Sequence, residues 1–270
     1  MGNILEDNYS IFFGLYTALA RTRKSAQNTY YKVLEAQRQY LIGISGGDFS
    51  DEQEKAMTLL DDALHKFYLG AYSLEQLWSV HDYLEIADHG MPYFFDSKMT
   101  IQQNEIVFLL SSLLDQSLYS WRSFLDYYLK YLMFVSTNEY AITMSTKNFR
   151  KGFENHINKN PDDLKARNIY RYIKSKVLCQ TLGGEDHCWG DLLRSLRDKT
   201  THQKLIKPNI EERENLQGYK ISWPMIGGKN YSEIAQWEFE NNAFEMLREL
   251  FPILYGFDWI AGPYKPGMYN

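Results

Sequence analysis

The stretch Glu105–Val135, EIVFLLSSLLDQSLYSWRSFLDYYLKYLMFV, decides the fold. From Ile106 onward, apolar side chains recur at Leu110, Leu113, Leu114, Leu118, Trp121, Leu125, Tyr128 and Leu132, in steps of three and four that line one face of an α-helix. No Gly or Pro interrupts the run. Asp115, Arg122, Asp126 and Lys130 punctuate it, and a bilayer core tolerates such charges poorly. The segment therefore predicts a buried core helix and excludes a membrane span.

Outward from it, the same periodicity returns. Residues Asp51 to Ile86 carry Leu60, Leu64, Phe67, Ala71, Leu74, Trp78 and His81 on one stripe, with Ser50 or Asp51 as the N-cap. An earlier helix is expected over roughly Tyr9 to Leu41, ending at Gly43 and Gly46-Gly47. Shorter helices are expected over Thr146–Asn155 and, after Pro161, over Asp162–Leu178. In the second of these, Leu164, Ile169, Ile173 and Val177 point inward, leaving Lys165, Arg167, Arg171, Lys174 and Lys176 free for solvent or ligand. Gly183-Gly184 breaks the chain, and a helix from about His187 turns Leu192, Leu193 and Leu196 toward the core, with Arg197 near its end. Beyond Pro208, Tyr219–Trp223 alternates as a short strand does, Gly227-Gly228 makes a turn, and Tyr231–Leu254 is again helical. The tail with Gly262, Pro263, Pro266 and Gly267 is expected to be irregular. The fold class is all-α, a helical bundle with long N-terminal helices and a C-terminal extension holding a short β element and a helix. At 270 residues without a linker, the chain is expected to form one compact unit.

The N-terminus, Met1-Gly2-Asn3-Ile4-Leu5-Glu6-Asp7, is acidic where a secretory signal is basic, so a cytoplasmic protein is expected. Cys179 and Cys188 could pair, yet two cysteines fit a reducing compartment equally well. Neither cysteine lies in a CxxC spacing, and His81 falls on an apolar stripe, so neither a metal nor another cofactor is expected.

Net charge is −5, distributed unevenly. Residues 1–100 hold 8 Lys and Arg against 14 Asp and Glu, whereas residues 147–207 hold 14 against 7, a +7 island within an acidic chain. Such an island is either an electrostatic footprint for a phosphate backbone or a solvated face neutralised by the protein's own acidic elements.

Within the island lies Leu196-Arg197-Asp198-Lys199-Thr200-Thr201-His202. An arginine can hold a phosphate and a histidine can move a proton near neutral pH, the minimum equipment for cutting RNA without a metal. The spacing itself is loose, and Arg150 with His156 matches it too, though Lys151 and Gly152 follow and no polar acceptor stands beside the arginine. Structural roles are the alternative: Arg197 paired with Asp198, Asp191 or another carboxylate, and His202 satisfied at a helix end.

Ser195–His202 resembles the signature of the HEPN superfamily, all-helical proteins whose motif is Arg, a polar residue next, and His four to six positions after the Arg. The resemblance covers about residues 97–207 as a helical core, with 1–96 and 208–270 as extensions packed on it. It implies a metal-independent endoribonuclease in which Arg197 orients the scissile phosphate, His202 transfers a proton and Asp198 helps position its neighbours. Single-stranded RNA is then the expected partner, with Arg194, Lys199, Lys204, Arg171 and Lys174 on its backbone. An antitoxin partner protein is compatible with the resemblance. Residues five apart on a straight helix stand about 140° apart around the axis, so Arg197 and His202 can serve one phosphate only if the helix breaks between them or a second chain completes the site. A homodimer is therefore expected. The rival readings are a non-catalytic HEPN-like module binding RNA, a nucleotide or a protein, and a helical interaction protein with no nucleic-acid role.

Overall fold

A computed structural model describes residues 26–43, 48–86, 99–138, 145–179, 188–202, 206–212, 219–226, 229–231 and 239–256. The expected helical residues 9–25, the Gly46-Gly47 and Gly183-Gly184 breaks, the Gly227-Gly228 turn and the Gly/Pro tail lie outside the described residues. Helix α1 covers residues 26–43, α2 Asp51–Ile86 and α3 Met99–Thr137. After them come α4 (Thr146–Lys159), α5 (Leu164–Tyr172) and α6 (Trp189–His202), with α7 (Asn241–Tyr255) closing the described chain. The protein is an all-α helical bundle. Two antiparallel strand pairs decorate it: β1 (Asn209–Glu212) with β2 (Tyr219–Ser222), and β3 (Met225–Ile226) with β4 (Lys229–Asn230).

The α2 start is set locally. The Ser50 hydroxyl accepts from the Gln53 backbone N–H at 3.3 Å while Gln53 Oε1 accepts from the Ser50 N–H at 2.9 Å, a reciprocal cap. Asp51, Glu52 and Glu54 then sit in the first turn, where the helix dipole favours acids. The predicted stripe packs as expected, with Leu60, Leu64, Phe67, Ala71 and Leu74 all buried.

Helices α2 and α3 run antiparallel and form the spine. Gly70, midway along α2, faces the Trp121 indole so closely that a Cβ there would stand 2.7 Å from Trp121 Cε2. A glycine inside a helix costs about 1 kcal/mol against alanine, and here it lets the two backbones approach. Ser117 Oγ donates to the Gly70 carbonyl at 3.3 Å across the same contact. Around it, Phe67 packs against Trp121, Phe124 and Phe244 with ring centroids 5.3 to 5.8 Å apart, and Phe124, Tyr128 and Tyr131 stack along α3. The apolar core continues from α1 through α7, so the elements before and after residues 97–207 share it.

Two expectations on α5 are corrected. Leu164 does not point inward; it is 67% exposed. Asp163 caps the helix by accepting from the Ala166 N–H, and Leu164 follows it at the first turn, five residues and about 140° from buried Ile169; Ala166 fills the inward position instead. Nor does the α-helix reach Leu178. It widens at Ile173 into a π-helical segment, Ile173–Val177, which keeps Ile173 and Val177 both buried and ends where the Leu178 N–H donates to the Ile173 carbonyl. Strand β1 was not expected from the sequence; it answers the predicted β2 with Ile210 opposite Ile221.

Candidate functional site

Helix α6 carries the Arg197–His202 pair, and three features seat it. Trp189, Leu193 and Leu196 are buried at steps of three and four. Gly190 lies against the π segment, where a Cβ would stand 2.6 Å from the Val177 carbonyl oxygen. The Cys179–Cys188 disulfide, Cα atoms 5.4 Å apart, ties the end of that segment to the residue before α6. The helix then continues without a break through His202. Of the two ways in which Arg197 and His202 could serve one phosphate, a helix break between them is thereby removed.

Arg197 is partly buried, its guanidinium 5.9 Å from the centroid of the Tyr119 ring, which is 52% exposed on α3. One turn earlier, Arg194 donates to Asp126 Oδ1 at 3.3 Å, and Arg122 contacts the same carboxylate. Burial, with Arg122 beside it, pulls the Arg194 pKa down, and Asp126 opposes that pull. Arg194 is thus a cross-link between α3 and α6. Asp198, Lys199 and His202 lie on α6 with side chains outside the described residues, as is all of Lys204.

The other two expected contacts, Arg171 and Lys174, come together. With Arg167, Asn158, Ile157, Tyr170 and Glu154 they line a groove of about 570 Å³ between α4 and α5. One aromatic ring, Tyr170, lines it, backed by the buried Phe153 ring with centroids 5.8 Å apart. The Tyr170 hydroxyl donates to Glu154 Oε1 at 2.6 Å, and Lys174 stands 5.7 Å over the Tyr170 ring. Burial followed by the Glu154 contact pushes the Tyr170 pKa up to about 12. Lys147, Lys151, Lys159, Arg167, Arg171, Lys174 and Lys176 are all exposed on these elements, and none forms an ion pair with a described acidic residue.

The second spacing match separates in space. Arg150 donates to the Leu178 carbonyl at 2.8 Å, whereas His156 Nε2 lies 2.9 Å from Asp163 Oδ2. Burial alone would raise the Asp163 pKa, but the Ala166 N–H and His156 hold it below the usual carboxylate value. Lys165, expected in solvent, is instead turned into the molecule and donates to the Leu254 carbonyl at 3.1 Å. Periodicity places Lys165 beside Ala166, and it takes α7 packing on α5 to cover it. His81 lies in the core, edge-on to Trp78 at 5.3 Å.

No family model, curated protein or solved structure matches this chain. Fold and site therefore define the class alone: an all-α helical bundle with a basic face that no described acidic residue pairs with, and no described helix long and apolar enough to cross a membrane.

Proposed function

We propose that the protein is a HEPN-type, RNA-directed protein whose α4/α5 face holds the phosphate backbone of single-stranded RNA and whose Arg197 and His202 form a metal-independent endoribonuclease site across a homodimer. The observation that carries the reading is the row of seven exposed cations without a described ion-pair partner. It speaks against neutralisation of the island by the described acidic residues, and a cationic groove lined by a Tyr ring suits a flexible, stacking polyanion. The joint at Gly190 and Val177 links that face to α6, on which Arg197 lies seven residues, roughly 10 Å, further along.

In the proposed reaction the ribose 2′-oxygen attacks the adjacent phosphorus and the P–O5′ bond breaks, leaving a 2′,3′-cyclic phosphate and a 5′-hydroxyl. One His202 takes the 2′-hydroxyl proton, its counterpart on the second chain protonates the leaving oxygen, and Arg197 stabilises the charge on phosphorus. The unbroken α6 supports the two-chain form, because one straight helix points the two side chains apart. Partly exposed Tyr119, with Phe108 and Leu109 exposed further along α3, would supply apolar area to such an interface beside Arg197. A restraining antitoxin protein and a cytoplasmic location belong to the same proposal.

The test is incubation of purified protein with single-stranded RNA in EDTA. Cyclic-phosphate ends that disappear in His202→Ala and Arg197→Ala support catalysis. Salt-dependent binding of intact RNA leaves the alternative, a binding module; absence of binding at low salt removes both.

A further inference from the structure

Ser136 lies seventeen residues, roughly 25 Å, along α3 from Tyr119, and there a cleft of about 390 Å³ opens between the ends of α1 and α3, the first turn of α2 and the start of α5. Tyr40, Ala56, Tyr131 and Phe134 give it apolar walls. Its polar side is unusual in three respects.

Lys165 is the first. Its ammonium is turned inward, bonded to the Leu254 carbonyl at 3.1 Å and standing 5.1 Å from the Tyr40 ring centroid. No carboxylate oxygen of the described residues comes within 4.0 Å of it. Burial lowers its pKa, and Asp163 opposes that only from a distance. A partly buried cation with a neutral carbonyl and an aromatic face as its partners among the described residues has lost water without gaining a close counter-charge there. Second, Ser136 Oγ is buried beside the cleft with no hydrogen-bond partner among the described residues. Buried hydroxyls are almost always bonded, so this one is an open position for a ligand atom. Third, the Tyr131 hydroxyl donates to Gln37 Oε1, which leaves the Gln37 NH₂ as a spare donor in the same wall.

The chemistry selects the guest. One ammonium and two neutral groups match a single negative charge. His156, also in the wall, is engaged by Asp163 through Nε2 and by Asn160 through Nδ1, so both ring nitrogens already have partners. A phosphate monoester carries nearly two charges at neutral pH and would meet Glu52 at the rim. A carboxylate carries one. The volume, at the small end of the range for ligand pockets, and the aromatic walls call for a compact apolar body.

We propose that this cleft binds a small monocarboxylate with an aromatic or branched apolar body, its carboxylate received by Lys165 with Ser136 and Gln37 as neutral donors. The site is separate from the RNA face, and its test does not depend on RNA cleavage. The full chain is titrated calorimetrically with 3-phenylpropanoate, indole-3-acetate and 4-methylpentanoate, with their primary amides, and with phenyl phosphate. At least one carboxylate is expected to saturate at one per chain, with its amide at least tenfold weaker and phenyl phosphate weaker than the carboxylate. Lys165→Met, checked by circular dichroism, is expected to abolish the preference of carboxylate over amide. Ser136→Ala, which removes only an unbonded hydroxyl, is expected to weaken the carboxylate three- to tenfold with the melting temperature unchanged, and it decides the matter if Lys165→Met does not fold. Failure of every carboxylate to saturate, an amide binding as tightly, or phenyl phosphate binding more tightly overturns the proposal.

Discussion

The α2/α3 spine and the α4–α6 island are built from opposite materials. In the spine, specificity comes from shape: a glycine accepts an indole, and aromatic rings fill the length of the contact. In the island, buried positions are fewer and the exposed faces carry cations without an ion-pair partner among the described residues, with α6 seated by a glycine contact and a disulfide. The difference teaches that one bundle can separate its two tasks. Aromatic packing is concentrated in the spine, and the excess of positive charge in the island.

The sharpest way to break that contrast is at Trp121. Truncation to alanine is expected to cost about 3–5 kcal/mol, read from urea unfolding. Gly70→Ala should cost about 1–3 kcal/mol beside the intact indole, yet become neutral or stabilising in a Trp121→Leu background, where the added methyl no longer meets a ring. Equal costs in both backgrounds would mean that the close approach does not set the spine.

Next in size is the bridge. Closing a loop over nine residues of sequence separation predicts that Cys179→Ser lowers stability by about 2–3 kcal/mol under oxidising conditions. No loss under reducing conditions is expected, and a loss there would point to packing of the sulfur instead.

A smaller effect is expected at the junction of α2 and α7, where Glu240 faces Glu75. Burial, and then the Glu75 charge, push the Glu240 pKa from the ordinary 4.5 to about 7. The folded state thus holds the proton more tightly than the unfolded chain does. Its contribution is fully present below pH 4.5 and is lost as pH rises through about 7. Glu240→Gln should remove that slope and stabilise the protein at pH 8 by about 1–2 kcal/mol, discounted for residual solvent access. A stability profile that keeps its slope in the variant would assign the slope elsewhere.

The smallest expected stability change lies on the groove. Arg171→Ala and Lys174→Ala should each stay within about 0.5 kcal/mol of the parent in unfolding, while each lowers the salt slope of RNA binding by about 1. Loss of stability without a change in slope would make these cations structural.

What could be read beforehand divides along the same line. The α2 and α3 helices were legible because a long apolar stripe with an unbroken period leaves few alternatives, and Ser50 with Gln53 marks the α2 start in residue type alone. Periodicity says which side of a helix is apolar, and nothing about what covers the other side. Lys165 thus reads as free for solvent or ligand, and neither its contact with the Leu254 carbonyl of α7 nor that of Arg194 with Asp126 of α3 is visible in the local pattern. The π segment packs through Val177 on Gly190, thirteen residues later in the sequence, a contact absent from the local pattern. The His156–Asp163 contact spans a helix end and Pro161, so no helical spacing announces it.

The antiparallel spine also has a kinetic meaning. Its two helices are neighbours in sequence, so the Gly70–Trp121 contact closes a modest loop, whereas α7 must return from the far end of the chain to meet Phe67. Local contacts are cheap in chain entropy and tend to lead. The spine is thus expected to act as the nucleus on which later elements condense. Conservative truncations such as Leu118→Ala should mainly slow folding, and truncations in α7 such as Leu247→Ala should mainly speed unfolding. Stopped-flow measurements showing the reverse would place the nucleus at the end of the chain.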